Sequence, residues 1–309
     1  MTNPDIADRS WHEPNRPPLI GILGGSGVYE IDGLEDRQWV TVDSPFGAPS
    51  DQLLFGRLGD VRMVFLPRHG RGHRHAPSTI NYRANIDALK RSGVTEILSI
   101  SACGSFKEEL APGTFVIPDQ FIDRTFAREK SFFGEGLVAH VGFAHPVCSR
   151  LAGVLADSCE TLAIPVSRGG AYLAMEGPQF STLAESNLYR SWGCAVIGMT
   201  NMPEAKLARE AELCYATVAM VTDYDCWHPD HDAVSVENVI KVLLSNADLG
   251  RSLVKHVAPA LAGRTGACAA GCHHALDGAI ITAPDARDPA MAAKLEAVAG
   301  RVLGSGSGG

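Results

Sequence analysis

The sequence predicts a single three-layer α/β domain, in which a central mixed β-sheet is flanked by helices. Short β-branched runs alternate with helical patterns from Pro18 onward, and no linker or change of composition divides the chain. Two apolar runs meet at Gly59-Asp60, a dipeptide typical of hairpin turns, which predicts an antiparallel pair within the sheet. The 309 residues are enough to bury an ordinary core without metal or disulfide staples.

The strands are predicted from short apolar runs, and the helices from apolar residues at helical spacing. The first strand, 19–23, runs into a glycine-rich segment, and the most apolar strand, 215–222, ends in two aspartates. The other strands are predicted at 53–58, 61–66, 96–101, 114–118, 171–175 and 195–199. The helices are predicted at 82–90, 147–162, 181–192, 204–213 and 235–246.

The composition excludes several classes of protein. With 45% hydrophobic and 20% charged residues, the chain is neither disordered nor a coiled coil. Lys and Arg number 27 against 35 Asp and Glu, and the net charge of −8 has the wrong sign for a nucleic-acid or anionic-membrane surface. We see no apolar run of about 18 residues and no signal peptide. Together with eight scattered cysteines, this predicts a cytoplasmic protein without a membrane span.

The ends of the chain and one Cys/His cluster are predicted to lie outside the functional machinery. We expect residues 1–17 to form a flexible extension, 18–303 the domain and 304–309 a Gly/Ser tail. Cys268, Cys272, His273 and His274 form a cluster without a second paired half at zinc-ribbon spacing. We therefore expect no metal there.

Polar residues collect where the predicted strands end, and in open α/β sheets this edge holds the ligand. The first such end is Gly24-Gly25-Ser26-Gly27, which suits an anion but equally suits a plain tight turn. Arg68 and His69 follow another strand, and their donors suit phosphate, although a solvated basic loop has the same pattern. A third end, at residues 100–105, is small and rich in hydroxyls, and fits an anion-binding nest or a turn equally well. Its Cys103 has no basic neighbour in the sequence and is expected to be an inert thiol.

The fourth polar end contains Asp223 and Asp225. In extended chain, residues i and i+2 point to the same side, so the two carboxyl groups can meet one planar ligand. The pattern alone fits either a helix cap with a solvated turn, or an acid and hydrogen-bonding pair in a pocket.

Eight short motifs occur in order between Pro18 and about Asn246. They are Gly21-Ile22-Leu23-Gly24-Gly25-Ser26-Gly27, Pro67-Arg68-His69-Gly70, Asn81-Tyr82-Arg83-Ala84-Asn85-Ile86, Ala102-Cys103-Gly104-Ser105, Asp119-Gln120-Phe121-Ile122-Asp123-Arg124-Thr125, Met175-Glu176-Gly177-Pro178, Gly198-Met199-Thr200 and Thr222-Asp223-Tyr224-Asp225-Cys226-Trp227. Through them the chain resembles the trimeric purine nucleoside phosphorylase superfamily, and most closely its 5′-methylthioadenosine phosphorylase branch.

The resemblance implies a role for each matching residue. It places phosphate at Ser26, Arg68, His69, Ser101, Ala102 and Thr200. It places the ribose at Met199 and the purine at Phe180, Ser181, Cys103, Gly104, Asp223 and Asp225. An apolar 5′-methylthio pocket falls at Val236, Val239 and Ile240, joined by His73 and, from a neighbouring subunit, His140. From the pattern alone, the Val236, Val239 and Ile240 stripe also fits plain core packing.

The implied reaction is reversible phosphorolysis of S-methyl-5′-thioadenosine to adenine and 5-methylthioribose 1-phosphate, a step of purine and methionine salvage. The resemblance also implies a homotrimer, and inorganic phosphate as a co-substrate without cofactor or metal. Breaking the glycosidic bond needs an anionic nucleophile and a proton for the purine. A protonated Asp223 would supply that proton to nitrogen 7. An Asp225 carboxylate accepts hydrogen bonds from a 6-amino group and repels a 6-oxo group, which favours adenine.

Three other functions fit the sequence less well. A 6-oxopurine phosphorylase, acting on methylthioinosine, inosine or guanosine, is disfavoured by Asp225. A catalytically silent nucleotide-binding module would be expected to have lost the acid or an anion-site group, and Arg68, His69, Thr200 and Asp223 are all present. A nicotinamide-dependent oxidoreductase does not fit the spacing of the first glycine loop.

Overall fold

The computed structural model describes residues 18–25, 27–229, 236–264 and 267–304, with the backbone alone described for 236–239. The strands are β1 (Leu19–Gly24), β2 (Glu35–Val40), β3 (Leu53–Leu58), β4 (Val61–Pro67), β5 (Val94–Ser105), β6 (Phe115–Ile117), β7 (Gln120–Asp123), β8 (Val166–Arg168), β9 (Ala171–Ala174), β10 (Val196–Gly198) and β11 (Cys214–Asp223). The helices are α1 (Tyr82–Arg91), α2 (Ser149–Thr161), α3 (Leu183–Ser191), α4 (Asn201–Glu210), α5 (Val236–Ala262), α6 (Pro289–Lys294) and α7 (Glu296–Leu303).

These strands form one mixed sheet. Its main path runs β2-β3-β4-β1-β5-β10-β9-β7, while β11 pairs with β5 and leads through β6 to β8. Strand β1 is parallel to β4 and β5, and β5 is parallel to β11. Strands β2, β3 and β4 are joined in antiparallel fashion, as are β10 and β5. The predicted mixed sheet is therefore confirmed.

Helices cover both faces of the sheet and complete the three layers. Alternate residues of β1 point to opposite faces, so Leu19 and Leu23 join one core cluster while Ile20 and Ile22 join the other. The first cluster also contains buried residues of α1, α4 and α7, and the second contains those of α2 and α5. Within the described residues, no helix is both long and apolar enough to cross a membrane.

The predicted strands and helices are present, although several of their ends are shifted. Strands β3 and β4 form the expected hairpin, and Gly59 in its turn has φ of 58°. The predicted helix 204–213 corresponds to α4, which is interrupted at Met202, where φ of −122° and ψ of 132° are extended, so its continuous part begins at Pro203, one residue before the predicted start. It ends at Glu210, because Glu212 has a left-handed φ of 56°. Helix α5 extends well past the predicted end at 246.

Strand β5 extends to Ser105, four residues past the predicted end at residue 101, so this segment is a strand where the sequence fitted a nest or a turn. The chain stays extended because β11 pairs with it in parallel as far as Cys103, opposite Val221. On its other side β10 pairs in antiparallel fashion, with Ile197 opposite Gly104 and Val196 opposite Ser105. The small residues of this segment thus form a strand between two neighbours.

Candidate active site

Three neighbouring strands, β4, β1 and β5, contribute to one edge of the sheet, where the predicted phosphate residues collect. The Arg68 backbone N–H donates to the Gly24 carbonyl at 2.9 Å, and its side chain reaches the Ile100 carbonyl at 3.1 Å. The Ser101 hydroxyl donates to Asn201 Oδ1 at 3.1 Å, which joins β5 to the first residue of α4. The strand ends that the sequence predicted to lie together are therefore close to one another in the structure.

Thr200 offers a hydroxyl at this edge. It precedes α4 as the N-cap residue, is buried, and makes no side-chain hydrogen bond to cap the helix. Ala102 lies beside Ser101 in β5, opposite Met220 of β11. Ser26, the remaining predicted phosphate residue, lies outside the described residues.

Arg68 is more enclosed than the sequence predicted. Its side chain is 1% exposed, and Nε donates to Glu204 Oε2 at 2.7 Å. The Nη2 group donates to Ser99 Oγ at 2.7 Å and also contacts the Leu23 carbonyl and Glu204 Oε1. Within the described chain the Nη1 group contacts one acceptor, the Ile100 carbonyl, so one of the five N–H donors of the guanidinium has no acceptor there. The neighbouring Glu204 carboxylate raises the pKa of Arg68 against the opposing effect of burial.

Sequence reasoning missed Glu204 and the buried network around it. Glu204 is 1% exposed and accepts hydrogen bonds from Arg68, from Ser99 at 2.6 Å and from the Tyr215 hydroxyl at 2.9 Å. Asn201 extends the network by donating to the Tyr215 hydroxyl at 2.8 Å. A glutamate within a helix is most often solvated, so the sequence carried no signal for this burial.

His69 is held as a neutral imidazole beside Arg68. Its Nδ1 lies 2.8 Å from the His75 carbonyl, which can only accept, so Nδ1 carries the hydrogen and Nε2, which contacts no donor among the described residues, can accept. Burial lowers the pKa of His69 to about 4. The ring of His73 stacks on that of His69, with centroids 4.2 Å apart.

Asp223 lies at the end of β11 and is largely enclosed. Its Oδ1 accepts from the Asp225 backbone N–H at 2.8 Å, and its Oδ2 accepts from the Thr222 hydroxyl at 2.7 Å. A Cβ atom added at Gly104 would lie 2.8 Å from Asp223 Oδ1, so the glycine leaves room for this carboxyl group. Burial raises the pKa of Asp223.

Asp225 corrects the expectation of an extended pair. Its φ is 52°, so the chain turns immediately after β11, and the Asp223 side chain closes that turn on the Asp225 backbone. The two carboxyl groups are neighbours nonetheless. Asp225 is 6% exposed, and within the described chain its Oδ2 has no hydrogen-bond partner. Burial and the neighbouring Asp223 raise the pKa of Asp225.

Cys103 lies near Asp223, and its surroundings favour the unreactive thiol over the thiolate. It is buried in β5, where its carbonyl accepts from the Thr222 hydroxyl at 3.2 Å. Burial and the nearby Asp223 raise the pKa of its thiol well above the ordinary value. An inert thiol, as the sequence suggested, fits this environment better than a nucleophile.

The remaining predicted purine and ribose residues lie on neighbouring loops. Ser181 is buried and its carbonyl lies 3.4 Å from the Cys226 thiol, beside the two aspartates. Phe180 next to it is 43% exposed. Met199 packs against Gly177, where an added Cβ would lie only 2.5 Å from its sulfur.

Arg128 and Glu176, which sequence reasoning gave no role, position the Met199 loop. Arg128 Nη1 donates to the Met199 carbonyl at 2.6 Å and to the Met202 carbonyl at 2.6 Å. Its Nε lies 3.3 Å from Glu176 Oε1. Glu176 belongs to a quoted motif, but its partner is remote in sequence, so its role could not be predicted.

The residues predicted for the 5′ pocket are the ones that the described structure brings together least. The side chains of Val236 and Val239 lie outside the description, and Ile240 is 48% exposed. His73 is exposed beside His69, with a left-handed φ of 53°. His140 is exposed and its backbone N–H donates to the Ala279 carbonyl at 2.9 Å. The described contacts do not join His140 to the other predicted residues.

Comparison with known proteins defines the class of protein. The chain matches the family model of the phosphorylase superfamily over residues 19–258, and it belongs to that superfamily. It is 69% identical over 292 residues to S-methyl-5′-thioadenosine phosphorylase of Rhodospirillum rubrum, covering 94% of this chain and 99% of the relative. It is 64% identical over 285 residues to the protein of that name from Cereibacter sphaeroides, covering 92% and 98%.

Solved structures agree with this assignment. A methylthioadenosine phosphorylase from an antarctic soil metagenomic library is 44% identical, with a TM-score of 0.86 and coverage of 92% of this chain and 99% of that one. The Schistosoma mansoni methylthioadenosine phosphorylase in complex with adenine is 36% identical, with a TM-score of 0.79 and coverage of 84% and 96%.

Proposed function

We propose that this enzyme catalyses the reversible phosphorolysis of S-methyl-5′-thioadenosine to adenine and 5-methylthioribose 1-phosphate. The relatives in Rhodospirillum rubrum and Cereibacter sphaeroides bear the name of this activity. The observation that carries the proposal is the enclosed pair of Asp223 and Asp225, with raised pKa values, beside the space left by Gly104. A buried acid with a raised pKa next to an anion-binding edge suits the proton donation that cleavage of an N-glycosidic bond requires.

Asp223 acts as the general acid at purine nitrogen 7. Its Oδ1 is engaged by the Asp225 backbone N–H, so Oδ2 is the oxygen that carries the proton. The Thr222 hydroxyl lies within reach of both Asp223 Oδ2, at 2.7 Å, and the Cys103 carbonyl, at 3.2 Å. When Oδ2 is protonated, Thr222 directs its hydrogen to Cys103, so that both protonation states of Asp223 are accommodated.

Phosphate binds at the ends of β4, β1 and β5 and attacks the anomeric carbon. The groups assigned to it are Ser26, Arg68, His69, Ser101, Ala102 and Thr200. Arg68 supplies its remaining Nη1 hydrogen, and the Thr200 hydroxyl is not used to cap α4. The Nε2 atom of neutral His69 accepts from the phosphate O–H. As the sugar becomes oxocarbenium-like, the bound anion stabilises its positive charge.

Substrate choice is assigned to Asp225 and the residues around it. The buried Oδ2 atom of Asp225, which has no partner in the described chain, accepts a hydrogen bond from the purine 6-amino group. Phe180, Ser181, Cys103 and Gly104 complete the purine pocket, and Met199 contacts the ribose. The 5′-methylthio pocket is assigned to Val236, Val239, Ile240 and His73.

The working enzyme is proposed to be a cytoplasmic homotrimer that needs phosphate but no cofactor. Large apolar side chains are exposed on the chain, including Phe126 at 81%, Leu244 at 66% and Ile281 at 62%. Burial of such surface between subunits would stabilise an assembly. His140 is proposed to complete the 5′ pocket of a neighbouring subunit. The eight free cysteines are compatible with a reducing compartment.

The proposal is tested by base release from S-methyl-5′-thioadenosine, 5′-methylthioinosine and adenosine, each with and without phosphate. We expect adenine to appear only with phosphate and fastest from the methylthio substrate. Asp225→Asn should shift preference toward the inosine analogue, because an amide can donate to a 6-oxo group. Hypoxanthine release by the unaltered enzyme in preference to adenine would contradict the role of Asp225. Release without phosphate would indicate a hydrolase.

A further inference from the structure

Four cysteine side chains that are distant in sequence meet in the interior, away from the phosphorylase site. The sulfur atoms of Cys148, Cys214, Cys268 and Cys272 all lie within 4.8 Å of one another. All four residues are buried, with exposures of 1%, 3%, 4% and 1%. Free cysteines often act as isolated small hydrophobes, and four thiols converging on one point are a different arrangement.

Three parts of the fold present these thiols. Cys148 is the N-cap residue of α2, and its backbone N–H donates to the Tyr215 carbonyl at 2.9 Å, which fixes it beside Cys214 at the start of β11. Cys268 and Cys272 come from the segment after α5. There the Gly271 N–H donates to the Cys268 carbonyl at 2.9 Å, and Gly271 has a left-handed φ of 70°. This turn directs both thiols of the Cys-x3-Cys sequence to one side.

The distances suit a metal ion. In a tetrahedral site with Zn–S bonds of about 2.3 Å, neighbouring sulfurs are about 3.8 Å apart. The sulfurs of Cys148 and Cys268 are 3.6 Å apart, close to that value and far longer than a disulfide bond of about 2.05 Å. Four thiolates at such spacing form the closed ligand set of a structural zinc site.

The surrounding charges favour an anionic metal–thiolate centre. Four thiolates around a divalent cation leave two negative charges. Arg150 lies near the Cys268 and Cys214 thiols, and its Nη2 binds Glu96 Oε1 at 2.6 Å. Arg264 binds the same Glu96 oxygen at 2.7 Å. The guanidinium group of Arg150 brings positive charge close to the sulfurs, and the N-terminus of α2, where Cys148 is the N-cap residue, adds to it.

We propose that Cys148, Cys214, Cys268 and Cys272 form a structural zinc site. Cys214 begins β11 and Asp223 ends it, so the site lies about 30 Å from the acid, since a strand rises about 3.3 Å per residue. With four protein ligands the ion has no open position, and its role is to tie the segment after α5 to α2 and β11. This replaces our expectation of no metal, which considered only Cys268 and Cys272 with their adjacent histidines.

Metal analysis of the whole protein tests the proposal. The chain is purified under reducing conditions without chelator, and its zinc content is measured. We expect one zinc per chain. Replacement of the ion by Co(II) should produce the visible bands of tetrahedral cobalt and a thiolate charge-transfer band. Cys272→Ser should lose the ion, whereas Cys159→Ser, at a buried cysteine outside the cluster, should retain it.

Several outcomes would overturn the proposal. One is a reduced, folded protein that holds no zinc and binds neither Zn(II) nor Co(II) after treatment with a chelator. Another is a protein whose four cysteines are joined in two disulfides, as shown by mass spectrometry without reduction. Iron in place of zinc would keep the ligands and overturn the identity of the ion. If Cys272→Ser does not fold, the cobalt spectrum of the unaltered chain decides. None of these readouts uses phosphorylase activity, so this test is independent of the proposed function.

Discussion

At the scale of single residues, the proposed chemistry depends most on Asp223. Asp223→Asn keeps the shape of the side chain and removes the acid, so we expect kcat to fall about 10²–10⁴-fold. The KM for phosphate should stay close to that of the unaltered enzyme, because Asp223 does not touch the anion site. Steady-state assays measure both values. Asp157→Asn, which alters an exposed salt bridge on α2, is the control. A near-normal kcat for Asp223→Asn would remove the acid role.

His69 makes the stability of the fold depend on pH. Its pKa is about 4 in the folded chain and about 6.5 when exposed, so the unfolded state binds the proton first as pH falls. Its contribution to stability is complete above pH 6.5 and is lost as pH falls toward 4. Between pH 7.5 and pH 5 we expect a loss of about 2 kcal/mol from this residue. Urea unfolding at the two pH values should show a smaller loss for His69→Asn, and an equal loss would contradict the assignment.

The sequence predicted which residues lie at neighbouring strand ends more reliably than how their side chains are held there. Arg68 follows an apolar strand and was correctly placed at the sheet edge, but its partner Glu204 is 136 residues away in the chain. Asp223 and Asp225 were predicted as neighbours, whereas the left-handed turn at Asp225 depends on a side-chain hydrogen bond that sequence spacing does not specify.

At the scale of elements, the ion pair of Arg68 and Glu204 joins β4 to α4. Both side chains are 1% exposed, so removing one charge leaves the other buried without its partner. Glu204→Gln should lower the free energy of unfolding by about 3–5 kcal/mol. Glu35→Gln, in a pair that is 60% exposed at the glutamate, should change it by less than about 1 kcal/mol. Chemical denaturation compares the two variants, and equal small effects would contradict the structural role of the buried pair.

Strands were predicted well where the residues are apolar and poorly where they are not. Strand β2 has the sequence EDRQWV and is mostly exposed at the sheet edge, so it lacks the apolar signal of the others. The extension of β5 to Ser105 results from pairing with β10 and β11, which hydrophobic periodicity along one segment cannot reveal. The small residues of this segment are typical of a turn, and only their pairing with β10 and β11 identifies the segment as a strand.

At the scale of the whole molecule, we expect a homotrimer. Sedimentation at assay concentration should give about three times the chain mass of 32.8 kDa. If His140 completes a neighbouring pocket, His140→Ala should raise the KM for S-methyl-5′-thioadenosine while leaving the trimer intact. A fully active monomer would contradict both the assembly and the role of His140.

Phosphorolysis consumes inorganic phosphate and forms a sugar phosphate as the purine leaves. The most direct measurement follows S-methyl-5′-thioadenosine and inorganic phosphate by ³¹P NMR while adenine is quantified by chromatography. We predict equal amounts of adenine and one new sugar 1-phosphate, with a matching loss of inorganic phosphate. Adenine without a new phosphorus signal, or no reaction with this nucleoside, would contradict the account.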